Sequence, residues 1–121
     1  MNQFHLSIGA NSLEESTQFF QDVLGGRVTV REKDNGANVD VLGSQIFLKN
    51  HPGIKPSLPD FHFGFNLGID DFEKLAQKIM VNHPHVVTME PKVIDAGTEL
   101  ERKKMYLKSP SGYVIEIKGY K

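Results

Sequence analysis

FHLSI at residues 4–8 and FHFGFNL at residues 61–67 decide the fold, because each opens on Phe-His and alternates apolar with small or polar side chains. Phe4, Leu6 and Ile8 share one side of the first stretch; Phe61, Phe63, Phe65 and Leu67 share one side of the second. That is the period-two pattern of a half-buried strand. It turns the aromatic of each pair inward and leaves His5 and His62 on the opposite face.

The segments after the two stretches also repeat. Beyond the first, Ser12 with Glu15 reads as a capping box, Leu13, Phe20, Val23 and Leu24 supply an apolar stripe, and Gly25-Gly26 ends the helix. Strands are expected over 27–33, 37–42 and 45–49, with Asn35-Gly36 as a hairpin signal. Beyond the second, Asp70 with Glu73 reads as another cap, and Phe72, Leu75, Ala76, Ile79 and Met80 fall on one helical face. Asn82-His83-Pro84-His85 stops that helix. Strands then read over 86–94, 102–108 and 113–118, with turns at Asp95-Ala96-Gly97 and Ser109-Pro110-Ser111-Gly112.

The order β-α-β-β-β therefore occurs twice in an α+β chain. A first module spans 1–50, a linker carrying three prolines spans 51–60, and a second module spans 61–121, all within one domain, 1–121. Each half is too small to be more than marginally stable alone, so the two are expected to depend on each other.

Composition excludes several function classes. The 14 basic and 15 acidic residues nearly cancel, which leaves no electrostatic footprint for nucleic acid or an anionic membrane surface. The absence of cysteine rules out a disulfide framework, a thiolate metal site and a cysteine nucleophile. The amino terminus has no basic region followed by an apolar stretch, so a cytoplasmic location is expected. His51, His83 and His85 sit in turn-like segments and read as solvated.

Superposing the repeats turns architecture into chemistry. Residues 43–49 laid on 112–118 set Phe47 opposite Glu116. Ile115 and Ile117 belong to the helix-packed face, so Glu116 shares the other face, the kind that carries His5 and His62. Two imidazoles and one carboxylate, with further positions open, suit a divalent first-row metal such as iron, manganese, nickel or zinc. Ser7, Gly9 and Gly64 are expected to leave space for a substrate beside the histidines.

The duplicated order, the Phe-His openings and the run MYLKSPSGYVIE at 105–116 together resemble the vicinal oxygen chelate superfamily. That superfamily includes glyoxalase I, extradiol dioxygenases, fosfomycin-resistance enzymes and bleomycin-resistance proteins. The resemblance implies a curved, cup-shaped, eight-stranded mixed sheet with helices outside, and a divalent metal on His5, His62 and Glu116. It implies a small-molecule substrate with vicinal oxygens, dioxygenase-like or lyase/isomerase-like chemistry, and a homodimer. Glu116 and Tyr106 become the catalytic candidates, Tyr106 as a hydrogen-bond donor to an oxygen at the metal, and Lys104 the candidate for an anionic substrate group. Phe47 stands where glyoxalase I has a fourth ligand and cannot coordinate, which predicts a three-ligand site. The alternative is a non-catalytic protein of the bleomycin-resistance type that sequesters its ligand.

Overall fold

A computed structural model describes residues 2–56 and 60–121, so residues 57–59 of the expected linker lie outside the described residues. The alternation of the first stretch becomes strand β1, His5–Ala10, with Ile8 and Ala10 buried and His5 and Ser7 exposed. Helix α1, Leu13–Asp22, starts as its cap predicts: the Ser12 hydroxyl accepts from the Glu15 N–H at 3.2 Å. Phe19 and Phe20 carry its buried face, edge to face at 5.3 Å. Gly25, at φ +72°, and Gly26 close it, the Gly26 N–H reaching back to the Phe20 carbonyl.

Strands β2, Arg27–Arg31, β3, Gly36–Val41, and β4, Ser44–Asn50, complete the first module. β2 stops short of the expected residue 33, because Glu32–Asp34 wind into a 3-10 turn that Asn35 ends in the left-handed region. Leu42 and Gly43, both at positive φ, make the next turn a two-residue hairpin.

The second module repeats the plan with β5, Phe63–Gly68, α2, Ile69–Asn82, β6, Val87–Ile94, β7, Arg102–Lys108, and β8, Val114–Tyr120. A 3-10 turn at Pro84–Val86 leads from α2 into β6. Phe72, Ala76 and Ile79 are the buried stripe of α2, and Ile115 and Ile117 lie fully buried on β8, the strand α2 packs on most closely. A Cβ on Gly119 would meet the Phe72 side chain at 2.5 Å, so this glycine permits the helix its close approach. Full burial of a Phe or Ile contributes about 1.5–3 kcal/mol each, which makes this layer the main support of β8.

Hydrogen bonding arranges the eight strands as two four-stranded mixed sheets, β1-β4-β3-β2 and β5-β8-β7-β6, each with a parallel first pair. The register preserves the equivalence read from sequence. Ser7 pairs with Phe47 where Gly64 pairs with Glu116, and Asn38 faces Phe47 where Tyr106 faces Glu116. By compactness the chain divides into two units, the first holding the first module and Pro110–Gly112, the second holding the rest of the second module. Within the first unit, the buried Ser111 hydroxyl accepts from the Asn11 N–H at 2.9 Å and lies 3.2 Å from the Ser16 hydroxyl. The Ser-Pro-Ser-Gly turn is thus an anchor as well as a turn.

Three local expectations are revised. Asp70 is not the cap of α2: β5 runs straight into the helix, Gly68 takes the cap position with no side-chain bond, and Glu73 instead pairs with Lys103. Phe4 is 66% exposed and Phe61 38%, because both precede their strands and escape the alternation that begins at His5 and Phe63. Two of the small residues expected to leave room beside the histidines are held to glycine by close neighbours. A Cβ on Gly9 would meet Ile54 at 2.5 Å, and one on Gly64 would strike the Glu116 main chain, so these glycines serve close packing.

Candidate functional site

Alternation along β8 sends Ile115 and Ile117 into the core and Glu116 to the opposite face, yet Glu116 is only 8% exposed. A cluster contributed by the neighbouring strands covers it. Tyr106 is its register partner on β7, and the hydroxyl on that side chain favours the ionised carboxylate. The His62 Nε2 lies 3.7 Å from Oε1, His62 being the residue that leads into β5, the parallel neighbour of β8. Lys118 Nζ lies 3.3 Å from the same oxygen, and Lys104 Nζ lies 3.9 Å from Oε2. Lys104 also donates to the Tyr106 hydroxyl at 3.4 Å and sits 5.3 Å from the centre of its ring. The imidazole of His62 stands edge-on to that ring at 6.3 Å.

Burial pushes the Glu116 carboxyl up, but the Tyr106 hydroxyl, then the Lys118 ammonium and His62, more than offset it and hold the group below its ordinary value. At neutral pH it is a carboxylate with both oxygens claimed by cationic or donor groups. Of the residues singled out from sequence, the second unit therefore brings together His62, Tyr106, Lys104 and Glu116. His5 belongs to the first unit, where its Nδ1 lies 3.1 Å from Gln45 Oε1 and its ring is exposed. Among the described residues, neither unit gathers three metal-ligating side chains by itself.

Lys118 is the member of the cluster that the sequence reading misses. A signal for it exists, since a residue two beyond Glu116 on a strand must share its face. A cleft of about 810 Å³ adjoins it, walled by the β6–β7 connection from Asp95 to Glu101 and by Arg102, Tyr120 and Lys121.

The pair His62 and Glu116 fits a divalent cation. An imidazole nitrogen and an ionised carboxylate oxygen converge on one face, and both are donors that first-row metals accept.

The chain belongs to the glyoxalase/bleomycin resistance protein/dioxygenase superfamily, whose sequence profile matches residues 2–117. It is similar to the metallothiol transferase FosB of Staphylococcus epidermidis, 26% identical over 116 residues that cover 93% of this chain and 78% of that one. The FosB of Lysinibacillus sphaericus is 25% identical over 118 residues with the same coverage. Among solved structures, a glyoxalase/bleomycin resistance protein/dioxygenase from Alicyclobacillus acidocaldarius superposes with a TM-score of 0.81 at 23% identity, covering 98% of this chain and 91% of that one. The fosfomycin resistance protein FosX of Listeria monocytogenes gives 0.74 at 13% identity, covering 100% and 94%. These last two likenesses concern the fold. Among the described residues, no helix is long and apolar enough to cross a membrane.

Proposed function

We propose that this protein is a small metal-dependent enzyme that holds a divalent cation through His5, His62 and Glu116 and acts on a small molecule with adjacent oxygen functions. The observation that carries the reading is the convergence of His62 on a buried Glu116 that has Tyr106 as its register partner. A cation held there would supply Lewis acidity toward the substrate oxygens. The chain's own groups do the rest. Tyr106 orients the carboxylate through its hydroxyl, and Lys104, within reach of both, offers an ammonium to an anionic part of the substrate.

The likeness to two metallothiol transferases supports thiol-transferase chemistry over dioxygenase or lyase/isomerase chemistry. Iron, manganese, nickel and zinc all suit the ligand set. The third ligand, His5, comes either from the same chain as His62 and Glu116 or from a second copy in a homodimer.

Metal analysis of protein reconstituted with each of the four cations tests the reading. Stoichiometric uptake is expected, lost in Glu116→Ala and in His62→Ala; equal uptake by both variants would refute it. Mixing His5→Ala with Glu116→Ala protein tests the assembly, since a site shared between copies regains part of its uptake in the mixed dimer. A second reading, a metal-free protein that sequesters its ligand, is favoured by the two ammonium groups already beside Glu116. Ligand binding by fully metal-stripped protein, unaltered by His62→Ala, would support it.

A further inference from the structure

We propose that Lys118 is an exchangeable counter-ion: it neutralises Glu116 while no divalent cation is bound, and swings into the adjacent cleft when one enters, so that it lowers the chain's affinity for the cation. The inference rests on the metal-site reading above and concerns what this chain adds to it.

Three observations carry it. First, Lys118 Nζ and His62 Nε2 approach the same carboxylate oxygen, at 3.3 and 3.7 Å, whereas Lys104 faces the other oxygen at 3.9 Å. The oxygen nearest the His62 imidazole, where a cation shared by the two would be held, is the one Lys118 occupies. Like charges at that spacing on a half-buried surface repel strongly, so the ammonium and the cation exclude each other.

Second, Lys118 has somewhere to go. It is the one member of the Glu116 cluster that also lines the cleft of about 810 Å³ under the β6–β7 connection. Asp95 and Glu101 in that wall are engaged, Asp95 with Arg102 at 2.7 Å and Glu101 with Lys121 at 2.5 Å. Glu99, among the described residues, lines the cleft without an ion pair and is exposed. The flexible four-carbon stem of a lysine makes such a swing inexpensive.

Third, in the first module the lysine at the equivalent position is turned toward the connection between strands. Lys49 holds the position on β4 that Lys118 holds on β8, one residue pair beyond Phe47 as Lys118 is beyond Glu116. With no carboxylate to retain it, its ammonium donates to the Asp34 carbonyl in the β2–β3 connection at 3.0 Å. The β6–β7 connection that walls the cleft is the equivalent segment of the second module. A lysine at this register therefore turns toward that connection when nothing on the strand holds it.

Calorimetric titration of Zn²⁺ into the full chain tests the proposal. Lys118→Met, which keeps most of the stem and removes the charge, is expected to bind Zn²⁺ about 10-fold more tightly than the unaltered chain or better. Lys118→Arg keeps the charge and should leave the affinity within about 3-fold, and Lys104→Met, on the other oxygen, should change it less than Lys118→Met. Adding Glu116→Gln to Lys118→Met should abolish the gain and so place it at this site. Unchanged or weaker affinity in Lys118→Met, with uptake still dependent on Glu116, overturns this inference and leaves the metal-site reading standing. Failure of both the unaltered chain and Lys118→Met to show Glu116-dependent uptake overturns the two together. The Lys118 side-chain NMR signal should move on saturation with Zn²⁺, and a signal that stays in place also counts against the proposal.

Discussion

The two modules have matching hydrogen-bonded frames and matching buried positions, each in its own sheet, and differ on the outward face of those sheets. Inward, Ala37, Val39, Ile46 and Leu48 correspond to Met105, Leu107, Ile115 and Ile117, and all eight are buried. Outward, Gly36, Asn38 and Phe47 correspond to Lys104, Tyr106 and Glu116. Of these outward positions on the two inner strand pairs, the lysine shared by Lys49 and Lys118 is the conservative one. In the first module the Phe47 ring lies over Gly36, in the space where the second module has its lysine. The difference teaches that a strand keeps its two faces independent: period two lets the core face persist while the other face changes from packing to charge.

The largest expected effects test whether the two cores are equivalent. Phe20→Ala and Phe72→Ala each remove a fully buried ring and should each cost about 3–5 kcal/mol in denaturant unfolding. One shared transition shifted by either variant would mean the modules fold together. Two transitions, each moved by its own variant alone, would mean the resemblance between them extends to independent stability.

The outward faces are separated next. Glu116→Gln is expected to weaken retention of a divalent cation by about 100-fold, roughly 2.7 kcal/mol, measured by metal content after dialysis. The same measurement on Phe47→Ala should show no change, and a comparable loss there would erase the contrast between the modules.

Helix starts give a smaller difference. Ser12 caps α1 through its hydroxyl, while Gly68 caps α2 with no side chain at φ −64°, and a Cβ there would meet nothing within 4 Å. Ser12→Ala should therefore cost about 1 kcal/mol, and Gly68→Ser should add a few tenths to about 1 kcal/mol. Melting temperatures moving in the same direction for both would contradict this account.

The smallest effect concerns the β6–β7 connection, which is longer than its counterpart. Hydrogen bonding to Lys121, and then the Gly97 N–H, holds the Glu101 carboxyl below its ordinary 4.5. A depressed carboxyl stabilises the folded loop above the ordinary value and loses that contribution as pH falls through the depressed one. Protection of the Gly97 amide from hydrogen exchange should accordingly drop on acidification below 4.5, and Glu101→Gln should remove the pH dependence. The Asn35 amide, which donates to a main-chain carbonyl in the equivalent connection, should show no such dependence.

Much of this is legible in the residues. Element order, both helical stripes and the equivalence of Phe47 with Glu116 rest on periods of two and 3.6 and on local turn chemistry, which act over a few residues. The misreadings are of another kind. Asp70 and Glu73 have the spacing of a capping box, but the cap is set by where β5 ends, at Gly68, and that depends on its pairing with β8. The Phe-His openings look alike because the alternation runs through them, yet Phe4 and Phe61 fall outside the paired strands and stay exposed.

The sequence by itself determined which residues share a face of a strand: Glu116 apart from Ile115 and Ile117 on β8, and Tyr106 apart from Met105 and Leu107 on β7. Side-chain direction comes directly from the backbone's pleat, residue by residue. Only the tertiary structure decided which of those residues meet. His62 reaches Glu116 because it leads into β5, which pairs in parallel with β8, and Tyr106 faces it because β7 pairs antiparallel in that register. Such pairings join residues far apart in the chain and are set by hydrogen bonds and core packing across the sheet, so no local pattern could announce them.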